Sequence, residues 1–270
     1  MTQLNKLPAT WWGRYRLETG QAALWTIGSL RLAVRRLANE WQIACDQNTM
    51  ADPETTEWSQ QVAQVDLAEL DYANLERYIL RETGEELILK PALADRPVVT
   101  RPVTPLYVPA GAEATIFVST PLWVTIETGE PPQSLKELPS QRLSDTWFGP
   151  STMEGEFCYA GQTFARLNLE NIPRRVHRAI TQVIVHNRTA SQLLVERLSL
   201  PLPYLSLFEA AGDQLWTQAV ALVRTRETPL VNLHIETGPP AEAEQAQLIS
   251  GPRQQPGHQP VIRAFGALFR

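Results

Sequence analysis

The chain has 270 residues, 43% of them hydrophobic and 20% charged, with a formal net charge of −5 and a pI near 5.5. That length buries a sizeable core, as one large domain or two small ones, and the acidic balance argues against a general nucleic-acid binder, which carries a basic field. No stretch approaches the roughly 18 consecutive apolar residues of a membrane span, and MTQLNKLPATWWGRYRLE has no apolar run of signal-peptide length, so a cytoplasmic location is expected.

Residues 1–45 alternate with a period of two. Tyr15 and Leu17 oppose Arg14, Arg16 and Glu18; Leu30, Leu32 and Val34 oppose Arg31, Ala33 and Arg35; Trp41, Ile43 and Cys45 oppose Gln42 and Ala44. This pattern predicts an antiparallel meander with one wet face. DQNTMADPETTEW then breaks the rhythm as a polar loop. In the following segment Trp58, Val62 and Val65 stand at helical spacing, which predicts a short helix. Strand patterns return at LERYILR and EELILK, joined by Glu82-Thr83-Gly84.

From residue 94 the chain is Pro-punctuated and strand-rich: ATIFVST, LWVTIET, TFARLNL, RAITQVIVHN, QLLVERLSL, YLSLF, LWTQAVALVRT and LVNLHIE follow with short turns. Strands at this spacing without long intervening helices predict an all-β, mainly antiparallel fold, β-sandwich or jelly-roll-like, with one or two short helices. Three segments are expected: an N-terminal meander unit at 1–93, a β-sandwich at 94–238, and a polar arm with an apolar end at 239–270. Trp25, Leu32, Ile43, Val118, Ile184 and Leu233 are expected in the core. Glu-Thr-Gly recurs at 18–20, 82–84, 127–129 and 236–238, but at intervals of 64, 45 and 109 residues it is no repeat; it reads as a strand terminator.

LSDTWFGPSTMEGEFCYAG, residues 143–161, holds the densest set of polar and aromatic residues. Asp145 can cap a turn forced by Gly149-Pro150, and Glu154-Gly155 can open the strand EFCYAG. On that strand Phe157 and Tyr159 share one face while Cys158 points to the core. The catalytic alternatives are a carboxylate pair of Asp145 with Glu154 or Glu156, or a histidine-activated Cys158 thiolate. No local signature supports either. Cys45 and Cys158 lie far apart, without a disulfide framework or metal knuckle, which fits a reducing compartment. The four histidines avoid metal-ligand spacing, though His186 and His234 can converge if their strands are neighbours.

Residues 1–45 carry six Lys/Arg against two acids, whereas 46–90 carry three against eleven. With PRRVHR at 173–178 this asymmetry can mark a face for an anion, a nucleic acid or a partner, or a basic strand face answered by a neighbouring acidic segment. Trp11 and Trp147, each near glycine at a strand or turn boundary, are the exposed aromatic candidates for a binding face or a sugar platform. Asn187-Arg188-Thr189 matches a glycosylation sequon and reads as the turn after VIVH. In VIRAFGALFR, helical spacing sets Val261, Ala264, Phe265 and Leu268 on one stripe, a candidate docking element that serves the chain's own sheet, a second copy or a partner.

The strings LSDTWFG, EGEFCYAG, VERLSLPLPYLSLF and GDQLWTQAV, with the N-R-T turn, resemble an uncharacterised family of archaeal and bacterial proteins, domain-of-unknown-function family 432. The resemblance implies no assigned activity and no catalytic residues. It does imply genes near those of small-conductance mechanosensitive channels, and hence an accessory role.

The expectation is a non-catalytic module that binds a protein partner or itself, with neither nucleic acid, cofactor nor metal. Its candidate interaction residues are Trp11, Trp147, Arg174, Arg175, Phe265 and Leu268. A small-ligand or carbohydrate-binding module and a hydrolase with a cryptic carboxylate site are the alternatives.

Overall fold

The structure is a computed structural model that describes residues 10–48, 57–72, 74–149, 151–226 and 231–255, with 162–164 described by backbone alone. It is all-β and mainly antiparallel; the helical elements among the described residues are three single 3-10 turns. The chain packs as two compact units. One takes the described residues up to Ala92 together with Leu122–Arg142 and Arg175–His177; the other takes Leu93–Pro121, Leu143–Arg174 and the described residues from Arg178 onward.

In the first unit, β2 (Ala22–Ile27), β3 (Leu30–Arg36) and β4 (Glu40–Gln47) form the expected meander, extended by β5 (Trp58–Ala63) and β6 (Asn74–Ile79) in the order β5-β2-β3-β4-β6. A second sheet has the order β1-β7-β11-β12, with β1 (Gly13–Arg16), β7 (Glu86–Ala92), β11 (Trp123–Thr128) and β12 (Gln133–Pro139). LERYILR and EELILK therefore join different sheets. The link between them is a clamp: the buried Thr83 hydroxyl donates to Leu37 O at 2.6 Å, and Arg36 Nη2 donates to Thr83 O at 2.8 Å. Tyr15 of β1 meets Trp25 of β2 edge-on at 5.2 Å. Trp25, Leu32 and Ile43 are buried as the alternation predicts.

Two expectations fail here. The helix predicted around residues 58–65 is the strand β5, paired with β2 from Ala22↔Ala63 to Ile27↔Trp58. A period-2 ladder that satisfies the β2 edge outweighs the i, i+4, i+7 spacing of Trp58, Val62 and Val65, because a helix this short is marginal alone. The meander's wet face is also not wet. Ala22, Ala33 and Ala44 leave a shallow floor, and Leu67, in a 3-10 turn at Leu67–Glu69, packs onto it with Val65, Leu70 and Tyr72. This acidic strap meets the arginines: Arg35 pairs with Asp66 at 3.0 Å, and Arg31 donates to Asp71 O and lies 4.8 Å over the Tyr72 ring. Further pairs join Arg31 to Asp46, Arg77 to Glu40 and Arg14 to Glu86. The charge asymmetry is thus answered within the unit.

In the second unit, β10 (Glu113–Pro121) and β15 (Arg178–Asn187) pair along nine residues, from Glu113↔His186 to Pro121↔Arg178. β15 also pairs in parallel with β19 (Gln214–Thr217) and β20 (Val220–Arg224). β21 (Val231–Ile235), β18 (Leu207–Ala210) and β22 (Gln247–Ser250) complete a seven-stranded sheet. Val118 and Leu233 are buried, whereas Ile184 is only half-buried. β22 lies in the segment expected as a loose arm; it pairs with β18, and nearby Ala243 is buried against Phe117 and Trp216. A polar composition hid it, because a strand that needs only backbone bonds carries little side-chain signal.

A smaller sheet has the order β13-β14-β8-β17, with β8 (Val98–Pro102), β13 (Ser144–Phe148), β14 (Glu156–Ala165) and β17 (Leu198–Leu200). A two-stranded ladder joins β9 (Leu106–Val108) to β16 (Leu193–Val195). Asn187 fixes the turn after β15. Its amide nitrogen donates to Val108 O, Pro109 O and Ser191 O at 2.8 to 3.0 Å, and its oxygen accepts from the Thr189 amide and hydroxyl.

Candidate interaction site on the β13–β14 hairpin

Alternation in SDTWF and EFCYAG fixes which side chains share a face. The register pairs Asp145 with Tyr159, Thr146 with Cys158 and Trp147 with Phe157. Cys158 and Phe148 therefore turn inward, fully buried against Val99 of β8. Asp145, Trp147, Phe157 and Tyr159 take the opposite face.

The connecting loop is built to close tightly. A Cβ at Gly149 would lie 2.0 Å from Glu154 O, and one at Gly155 would lie 2.6 Å from Trp147 Nε1, so neither position admits a side chain. Ser151 Oγ accepts from the Met153 and Glu154 amides at 3.2 and 3.1 Å. The Trp147 indole N–H donates to Ser151 O at 2.8 Å, which locks the ring to the loop.

The result is an exposed apolar cluster on a fixed support. Phe157 is 66% exposed, Met153 89% and Trp147 36%. Trp147 and Phe157 meet edge-to-face, with centroids 5.2 Å apart and planes at 86°. Beyond the aromatics the face becomes charged. Arg96 donates to Asp145 Oδ1 at 3.1 Å and lies 5.2 Å over the Tyr159 ring, while the Tyr159 hydroxyl donates to Asp95 at 2.9 Å. Burial first, then the bond to Asp95, pushes the Tyr159 phenol up to about 12. β13 stands at the edge of its sheet.

Asp145 does not cap the turn as expected. It lies within a strand, ion-paired to Arg96, and Ser151 performs the capping instead. The register sets Asp145 and Glu156 on opposite faces of the hairpin. Cys158 has Ser199 Oγ at 3.9 Å and the Glu156 carbonyl at 3.7 Å as polar neighbours, and desolvation raises its thiol to about 12. Desolvation likewise raises Glu156, whose carboxylate accepts from Ser199 Oγ at 3.4 Å. His186 and His234 do not converge: β20 separates their strands, and His186 faces Glu113 at 3.2 Å. Among the described residues no group of His, Cys, Asp and Glu is placed to hold a metal ion.

The other candidates scatter. Trp11 is fully buried, with its indole donating to Val176 O at 2.8 Å and its ring edge-on to Trp12. Its place beside a strand start suggested exposure, but a residue next to a first strand can turn into the core as readily as out. Arg174 is exposed and Arg175 half-buried, and neither belongs to the hairpin. Phe265 and Leu268 lie outside the described residues. Phe157 and Met153 were not singled out from sequence. Alternation opposite the buried Cys158 marks Phe157 as outward; Met153 carries no such signal.

A family model described as "Protein of unknown function (DUF432)" matches residues 11–270. The chain belongs to the DUF432 family. No curated protein and no solved structure matches it. The whole hairpin lies within the part of the chain that is DUF432. Among the described residues, no helix is long and apolar enough to cross a membrane.

Proposed function

We propose that this DUF432 chain is a recognition module that docks a protein partner through the aromatic face of the β13–β14 hairpin. The observation that carries it is the exposure of Trp147, Met153 and Phe157 on a loop that two sterically required glycines and three hydrogen bonds hold in place. Large aromatics and Met are the side chains enriched at protein interfaces, and a preordered loop loses little entropy on binding. The accessory role beside a small-conductance mechanosensitive channel, implied by the family resemblance, supplies one partner to test. Both cysteines are buried and free, which fits a reducing compartment.

A sugar platform asks for coplanar rings, and the 86° between Trp147 and Phe157 opposes it. A hydrolase site asks for carboxylates in a walled cleft. Asp145, at 70% side-chain exposure and paired with Arg96, does not supply one.

Benzoylphenylalanine at Met153, irradiated in the native host, tests the proposal. The expected product is a discrete adduct with one other polypeptide that Phe157→Ser abolishes. Absence of any such adduct, or one indifferent to Phe157→Ser, contradicts it.

A further inference from the structure

We infer that the cavity where β8 and β14 part is a binding site for a small monocarboxylate with an apolar body, held at its charged end by Arg166. The site shares no residue with the Trp147–Phe157 face and does not depend on the docking role proposed for it.

The cavity follows from the way two parallel strands end. Ala165↔Pro102 is the last pair of the β14–β8 ladder, and just beyond it the Val103 amide donates to Ala165 O at 3.2 Å. The chains then diverge. Residues 103–105 lead on to β9, whereas Arg166 bridges to Phe117: its amide donates to Phe117 O at 2.9 Å, and its carbonyl accepts from the Phe117 amide at 2.8 Å. Past that bridge the 3-10 turn Leu169–Asn171 is pinned to the core. Ile172 is buried among Phe117, Ile180 and Trp216, and Leu169 packs against the same cluster. Between the two departing segments lies a cavity of about 280 Å³, its lining drawn from residues 102–106 on one side and 165–171 on the other. Val103 and Leu167 in that lining are exposed, so the cavity opens to solvent.

The lining dictates what fits. Pro102, Val103, Leu106, Ala165 and Leu167 make most of it apolar, which suits a hydrocarbon or aromatic body. Arg166 is the one charged residue among those lining it, and no Asp or Glu accompanies it. It is half-buried, and its guanidinium makes no hydrogen bond or ion pair among the described residues. A planar fork of N–H donors beside an apolar wall matches a carboxylate borne on an apolar body. One cation answers one negative charge, whereas a phosphate dianion would bring a second that no lining residue neutralises. Asn168, also in the lining, precedes the 3-10 turn without making a side-chain capping bond, which leaves its amide for a ligand. Pockets for drug-sized ligands run from about 300 to 1,000 Å³, so a cavity at the bottom of that range selects a small molecule.

The test is a titration of the isotope-labelled full chain with benzoate, followed through the backbone amide signals. The expected result is saturable movement confined to residues 102–106 and 165–171. Benzamide, the same ring without the charge, should bind about tenfold or more weakly, and Arg166→Gln should weaken benzoate by a similar factor, since each removes a charge-assisted hydrogen bond. Inorganic phosphate should not displace benzoate. If Arg166→Gln does not fold by its melting curve, Asn168→Asp, at an exposed residue, carries the comparison and should weaken binding by charge repulsion. Shifts centred elsewhere, no saturation, unchanged affinity in the variant or for benzamide, or displacement by phosphate overturns the assignment. None of those results touches the partner-binding role, which the Met153 adduct decides separately.

Discussion

Replacing Asn187 by alanine would remove the amide that bonds the Val108, Pro109 and Ser191 carbonyls from a position only 1% exposed, although Pro109 O keeps the Ala112 amide and Ser191 O the Thr189 hydroxyl. Losing these buried hydrogen bonds is costly, so chemical denaturation of Asn187→Ala should show a loss of about 2 kcal/mol. Asp145→Ala should behave oppositely. Its one ion pair is exposed, and such pairs are worth under about 1 kcal/mol, so the same measurement should find the variant close to wild type. Glu156 adds a pH signature. Desolvation raises its folded-state pKa above the unfolded value, so its protonated form is the one favoured by folding. The stability this contributes is fully present below the ordinary carboxylate range and is lost as pH rises through the folded pKa. Glu156→Gln keeps an acceptor for Ser199 without the charge. It should raise the melting temperature at pH 7 to 8, and the gain should vanish near pH 4.

At the scale of elements, the strap of residues 65–72 and the hairpin loop are the features most exposed to test. Leu67 is the strap's one buried side chain in its 3-10 turn, packed on an alanine floor, and Leu67→Ala should cost about 2–4 kcal/mol by leaving a cavity. Near-wild-type stability would mean that the strap does not cover the sheet. Alternation made β2, β3 and β4 legible, and β15 was legible as a central strand because apolar residues fall on both of its parities. Alternation also placed Cys158 inside. The strap was not legible, since the outer face of the meander carries polar and small residues whether water or a strap covers it. Nor was β5, where Trp58 and Val62 fit the spacing of a helix and of a strand equally and only the β2 edge decides. Glu-Thr-Gly behaved largely as a terminator: Gly20, Gly129 and Gly238 take positive φ, while at 82–84 the buried threonine matters instead.

At the scale of the whole molecule, sequence carries the all-β class well and the long-range pairing poorly. The parallel ladders β14–β8 and β15–β20 join segments far apart in the chain, and nothing local in either partner encodes them. The candidate site was legible in part. Trp147 stood out by its glycine neighbours, but the face it belongs to exists only through the register with Phe157. The central claim, that this face docks a protein, is tested most directly by quantitative co-purification from the native host with wild type and W147A/F157A compared side by side. Because the Trp147 indole also bonds Ser151 O, Phe157→Ser, at a 66% exposed side chain, is carried alongside as the variant that should melt within a few degrees of wild type. The account predicts that one or a few proteins enriched with wild type fall to background with the variant. The same proteins recovered equally with both chains would contradict it.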